Sequence, residues 1–384
     1  MFLLAQKRKQ DFPRAEIALS LPVAGSGRRD PAPAAIMPCT DSHRGDGILD
    51  IASIGRVPAR DLASSGQFGK IAASPGPGSA QHGIKRSTAL QLGAIYPQTD
   101  MPRDPQVVRN YAQAVEDMGY RFIAAYDHVI GANPVSRPGW RGAYDVDDAF
   151  LEPFSLFNFI AGATSKLGLV TSILILPQRQ TVLTAKQAAT LDVLSGGKLR
   201  LGVGIGWNDV EYEALGEEFS NRGKRVEEQI ELLRLLWKSR AVNFEGKWHR
   251  VTDAGINPLP VQRPIPVWIG GGAEPVIRRV ARMGDGWIPQ FQPDAHGREQ
   301  YERMREYARE YGRNPDEIGL DGRVALSGDD EDGWAEAVTR WEQVGATHVS
   351  VNTLNQGLRN IDEHLDRLRR LKEAVGNRAA SAAT

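Results

Sequence analysis

Leu199-Arg200-Leu201-Gly202-Val203-Gly204-Ile205-Gly206-Trp207-Asn208 begins as an apolar strand and ends in alternating glycines. The helical run 184–194 leads into it and is closed by Ser195-Gly196-Gly197. A helix, a double-glycine stop and a buried strand thinning to glycine make one repeat of an α/β barrel. Glycines at the carboxyl end of such a strand let a flat ligand approach the backbone, because no Cβ stands in the way.

The same alternation extends on both sides. Apolar runs predict strands at 90–96, 122–126, 167–176, 199–206, 265–269, 286–289, 318–326 and 347–351. Helical spacing predicts helices at 105–118, 153–163, 182–194, 222–237, 274–283, 298–311, 334–344 and 361–375. The segment 242–251, with Glu245-Gly246 at its centre, reads as a β-hairpin inserted after the fourth helix. Strict alternation over eight units predicts an α/β fold, a (β/α)8 TIM barrel. The competing topology is a doubly wound sheet, which would want a GxGxxG turn after its first strand; Gly93-Ala94-Ile95 offers none.

Residues 1–87 differ from the rest. None of the eight tryptophans or nine tyrosines of the 384-residue chain lies there, and Pro/Gly/Ser clusters do. Without tryptophan or tyrosine anchors such a segment buries too little apolar surface to offset its ordering entropy. The expected organisation is therefore a disordered extension at 1–87, a barrel at 88–378 and a short tail at 379–384. Zero formal charge implies no general attraction to nucleic acid or anionic membrane. No apolar run reaches the roughly 20 residues of a membrane span. The single cysteine, Cys39, removes any intramolecular disulfide or cysteine zinc cluster and suits a reducing compartment. A cytoplasmic enzyme is the expectation.

In such barrels the active site lies at the carboxyl ends of the strands. Asp127-His128 ends the second strand: the histidine can move a proton near neutral pH and the aspartate can fix its orientation. Placement makes His82, His249, His348 and His364 weaker candidates. Gly270, Gly271 and Gly272 end the fifth strand and open a helix, so their amides can cradle a phosphate. Gly204, Gly206 and Trp207 suit a flat ring. Thr171-Ser172-Ile173 is polar within an apolar strand, where a hydroxyl ordinarily bonds a neighbouring carbonyl. No P-loop, HExxH, GxSxG or zinc pattern is present.

Together with Leu176-Pro177-Gln178-Arg179, Leu191-Asp192-Val193-Leu194-Ser195-Gly196-Gly197, Arg222-Gly223, Pro258-Leu259-Pro260 and Trp268-Ile269-Gly270-Gly271, these residues carry a resemblance. Over about 89–375 the chain resembles the bacterial luciferase-like superfamily, and within it the LLM-class oxidoreductases that use the deazaflavin coenzyme F420. The resemblance implies F420 along the barrel mouth, its phosphate on the Gly270, Gly271 and Gly272 amides. It implies a non-prolyl cis peptide at Ser172-Ile173, beside Thr171, propping the ring. Gly204, Gly206, Trp207 and Asn208 would border the ring, and His128 would assist proton transfer coupled to hydride movement. A small-molecule substrate and a homodimer are implied as well. The sugar-phosphate branch carries a glutamate after the fourth-strand glycines; here Trp207-Asn208 stands there, which argues against glucose 6-phosphate. The alternatives are an FMN-dependent luciferase-type monooxygenase and a barrel that binds a (deaza)flavin without turnover. The loop 129–152, with Trp140 and Tyr144, is expected to cover the pocket.

Overall fold

The computed structural model describes residues 89–382. The expectations for residues 1–87, including Cys39, lie outside the described residues. The strands in chain order are β1 (Gln91–Ile95), β2 (Phe122–Ala125), β3 (Gly168–Thr171), β4 (Leu174–Ile175) and β5 (Leu199–Gly204). They continue with β6 (Val242–Glu245), β7 (Arg250–Ala254), β8 (Val267–Gly270), β9 (Gly286–Ile288), β10 (Gly319–Ala325) and β11 (His348–Asn352). The helices are α1 (Pro105–Asp117), α2 (Pro153–Ala163), α3 (Thr181–Leu194), α4 (Asp209–Ala214) and α5 (Arg222–Lys238). After them come α6 (Glu274–Met283), α7 (Ala295–Glu310), α8 (Glu331–Val344) and α9 (Ile361–Ala382).

All strands but β6 and β7 pair in parallel, in the order β3-β2-β1-β11-β10-β9-β8-β5-β4, and a β3–β5 pairing closes the ring. The result is a (β/α)8 TIM barrel, with β3 and β4 sharing the third position. Both halves of that position pair with β5: Leu169 opposes Leu199 and Leu174 opposes Val203. The break between them is at Ser172-Ile173, whose peptide bond is cis, as the resemblance implies.

Local chemistry explains most element ends. Asp104 caps α1 by accepting from the Gln106 amide at 2.8 Å, and Pro105 opens the helix where its missing N–H costs nothing. Gly345 ends α8 in the left-handed region at φ 106°. Asp294 and Asp330 cap α7 and α8, so both helices start earlier than their apolar spacing suggests. α4 is a short helix the spacing did not reveal, and α9 continues to Ala382, through most of the expected tail.

The inserted hairpin pairs β6 with β7 in antiparallel register. Glu228 of α5 holds its turn, accepting from the Lys247, Trp248 and His249 amides at 2.8–2.9 Å. His249 Nδ1 also faces Glu228 at 2.8 Å, and its Nε2 faces Thr181 Oγ1 at 2.7 Å. His249 is thus a clamp between hairpin and barrel.

Near the amino ends of the strands the barrel is filled by Arg200, whose guanidinium lies 4.4 Å from both the Phe122 and Trp268 ring centroids. Asp321 answers its charge at 2.9 Å and receives Ser350 Oγ at 3.0 Å. Gly286 and Gly319 are required beneath Trp268: a Cβ on either would lie 2.1 and 2.3 Å from the indole. This packed floor leaves the carboxyl-terminal mouth as the place for ligands.

Candidate active site at the barrel mouth

His128 follows β2 and is largely buried, with Nδ1 at 3.0 Å from Glu211 Oε1. Glu211 lies on α4, is fully buried, and also accepts from the Val129 amide and from Gln178 Nε2, each at 3.0 Å. Burial alone would raise its pKa; the bonds from His128 and Gln178, the imidazole's charge and the Val129 amide together hold it below the usual carboxylate range. An ionised carboxylate accepts only, so Nδ1 is the nitrogen that donates to Glu211 and Nε2 is the one left for proton exchange. Nε2 makes no hydrogen bond among the described residues, and His128 lines a cavity of about 750 Å3.

The aromatic surroundings of His128 come from the covering loop and from the end of the fourth barrel position. Tyr144 and Phe150 lie at ring-centroid distances of 4.8 Å and Trp207 at 5.8 Å. Trp140 packs on Trp207 at 5.8 Å. The loop is thus seated on the mouth, as expected of a cover.

Asp127 does not orient His128. Its carboxylate accepts from the Ile175 amide at 2.9 Å and from Arg179 Nη2 at 2.7 Å, and Arg179 also reaches Glu152 at 3.0 Å. Asp127 therefore ties β2, β4 and the start of α2 together, and Glu211 takes the role assigned to it. Asn208 is 2% exposed and caps α4, accepting from the Val210 amide at 3.1 Å. Thr171 is likewise engaged inside the sheet, its hydroxyl donating to the Gly202 carbonyl at 2.7 Å. Asn208 also lines the cavity beside His128, whereas the Thr171 hydroxyl is taken up within the sheet.

The glycines have a different purpose from the one their spacing suggests. A Cβ at Gly204 would lie 2.6 Å from Ile173 Cδ1, and one at Gly270 would lie 2.5 Å from Ile173 Cγ2. Ile173, half-buried, occupies the space above both, so the glycines admit this side chain rather than the ligand itself. Gly206, at φ +65°, stands over Ile175 in the same way. Ser172 Oγ, next to Ile173 in the chain, is buried without a partner among the described residues. Gly271 adopts φ +125° and its amide donates to the Ile288 carbonyl at 3.1 Å. α6 starts after Ala273 with no side-chain cap, Pro275 has no N–H and the Val276 amide donates to the Ala273 carbonyl. Among the described residues the Gly272, Ala273 and Glu274 amides are thus the ones left for a ligand or water.

These features fit a ring backed by Ile173 and a phosphate at the α6 amino terminus. Ser172 Oγ is an orphaned polar atom beside the ring position, and the uncapped amides provide anion donors.

Glu211 and Gln178 were not singled out from the sequence. The signal for Glu211 was the Asn208-x-x-Glu211 spacing, a helix-start signature in which a glutamate ordinarily turns back to its own cap. Among the described residues no group of histidine, cysteine, aspartate and glutamate could hold a metal ion, and no helix is long and apolar enough to cross a membrane.

The chain is similar to an uncharacterized protein of Mycobacterium tuberculosis, 34% identical over 62% of this chain and 82% of that one. It is 31% identical to an F420-dependent glucose-6-phosphate dehydrogenase of Segniliparus rotundus, over 48% of this chain and 53% of that one. It is 30% identical to an FMNH2-dependent dimethylsulfone monooxygenase of Pseudomonas putida, over 47% of each chain. Among solved structures, an F420-dependent secondary alcohol dehydrogenase superposes with a TM-score of 0.62 at 18% identity, over 74% of this chain and 99% of that one. The pattern of the family described as luciferase-like monooxygenase matches residues 85–383. A closed parallel barrel, the cis bond at Ser172-Ile173 and this match over the whole barrel lead to one conclusion: the chain belongs to the luciferase-like monooxygenase family.

Proposed function

We propose that the protein is an oxidoreductase that exchanges a hydride between coenzyme F420 and a small organic substrate, with His128 as its proton carrier. The observation that carries the reading is the His128–Glu211 pair, with Nδ1 held by a buried carboxylate and the histidine lining a cavity. Bound at the mouth, F420 supplies a carbon that gives or takes a hydride. The chain's own residues do the rest. Ile173 backs the ring, and the Gly272 amide with the start of α6 holds the phosphate. His128 takes or returns at Nε2 the proton that accompanies the hydride, and Glu211 stabilises the imidazolium that forms. Tyr144, Phe150 and Trp140 exclude water from the mouth. The likeness to an F420-dependent dehydrogenase supports the choice of coenzyme.

The second reading, an FMN-dependent monooxygenase, is favoured by a likeness of similar extent to the dimethylsulfone monooxygenase. Fluorescence titration of the purified protein with F420 and FMN separates the two. Tight F420 binding is expected; tight FMN binding without an F420 response would overturn the first reading. His128→Ala should keep F420 binding and lose hydride transfer, and a variant of undiminished turnover would remove His128 from the mechanism.

A further inference from the structure

The cavity beside His128 encloses about 750 Å3, within the roughly 300–1,000 Å3 of pockets that take drug-sized molecules. It runs from His128 beneath the 129–152 loop towards α1 and α2, and neither Ile173 nor the glycines Gly204 and Gly270 to Gly272 line it. It is therefore a compartment beside the coenzyme cradle. Its apolar wall comes from Met101, Val108, Phe150, Leu156 and Phe159.

The charge on its lining is one-sided even though Glu152 is neutralised by its ion pair with Arg179 at 3.0 Å. Asp104, Asp145, Asp148 and Glu152 face it, against the single cation Arg103. Each of these carboxylates already accepts a backbone amide, from Gln106, Asp147, Asp145 and Ser155 respectively. They are fixed in place, and they repel an anion. Tyr96, Tyr144 and His128 line the cavity, and Tyr96 Oη, Tyr144 Oη and His128 Nε2 make no hydrogen bond among the described residues. Burial raises both phenols, Tyr96 to about 12, so both are hydrogen-bond donors at neutral pH. Two phenols and an imidazole are suited to one oxygen function.

We propose that this cavity binds an uncharged substrate with a bulky apolar body and a hydroxyl or carbonyl oxygen, which the phenols and His128 Nε2 hold. The assignment rests on the oxidoreductase reading in making this compartment the substrate side of the site. It excludes sugar phosphates and carboxylates by charge.

Calorimetric titration of the full chain, without coenzyme, tests it with three probes: naphthylethanol, naphthylacetic acid and a hexose phosphate. Naphthylethanol should bind, and naphthylacetic acid, with the same apolar body, should bind about tenfold more weakly or worse. Val146→Trp, at an exposed position of the cavity wall, fills the space without entering the core; Phe159→Ala removes part of the wall. Each should weaken naphthylethanol about tenfold and leave the F420 titration unchanged. The proposal is overturned by no naphthylethanol binding, by equal binding of the acid, by tighter binding of the hexose phosphate, or by joint loss of F420 and naphthylethanol in both variants. If the wild type binds naphthylethanol but neither F420 nor FMN, the coenzyme reading falls and the ligand class stands.

Discussion

Glu211 is three residues beyond the Asn208 cap, the position from which a glutamate usually returns to its own helix start. It turns instead to His128, 83 residues away in sequence. Because folding lowers its pKa, the ionised carboxylate stabilises the fold above its ordinary value of 4.5, and that contribution is lost as pH falls below it. Glu211→Gln keeps the shape and removes the charge. At neutral pH it should cost about 1–3 kcal/mol, because donors aimed at a carboxylate are left poorly matched. Urea denaturation followed from about pH 7 to pH 3 should show a flatter acid dependence than in the wild type. A variant with the full wild-type acid dependence would show that Glu211 is not the group being titrated. His128 was legible in the sequence because it stands at a strand end, where the barrel geometry puts chemistry. Its partner was not, since no local spacing records which distant carboxylate a histidine meets.

At the scale of elements, the third and fourth barrel positions fit each other through one side chain. Ile173 rises from the break between β3 and β4 and rests over Gly204 of β5 and Gly270 of β8. Gly204→Ala should therefore cost about 1–3 kcal/mol by overpacking. Ile173→Ala in the same chain should recover part of that loss, giving a coupling energy of about 0.5–3 kcal/mol in a double-mutant cycle read by chemical denaturation. Simple additivity would mean that Ile173 does not fill the space above Gly204. The alternating glycines were plain in the sequence, and so was the strand they end. Their purpose was not: a missing Cβ marks a close approach without naming what approaches. The ends of α7 and α8 differ for a simpler reason. Apolar periodicity registers a helix only where it meets the core, whereas Asp294 and Asp330 start each one in an exposed turn.

Across the whole molecule, one end of the barrel is sealed and the other is open. The seal is Arg200 between two aromatic rings, paired with Asp321 from three strands along the ring. Asp321 is buried and the Arg200 side chain is only 11% exposed, so removing one charge leaves the other poorly compensated. Asp321→Asn should cost about 3–5 kcal/mol, read as a lowered urea midpoint; a change close to zero would mean that water reaches the guanidinium. With this floor in place, a ligand enters only at the face where His128, Ile173 and the α6 amino terminus lie.

The sequence by itself determined the number and order of β/α units, their closure into a barrel, the strand ends that carry chemistry and the position of the cis bond through a family resemblance. The first three follow from backbone periodicity and local turn chemistry, which act between near neighbours in the chain. Only the tertiary structure decided that Glu211 rather than Asp127 holds His128, that Ile173 fills the glycine gap, and that Arg200 meets Asp321 across 121 residues. Those pairings are set by closure of the ring, which brings buried charges and small residues together over distances that local sequence spacing does not encode.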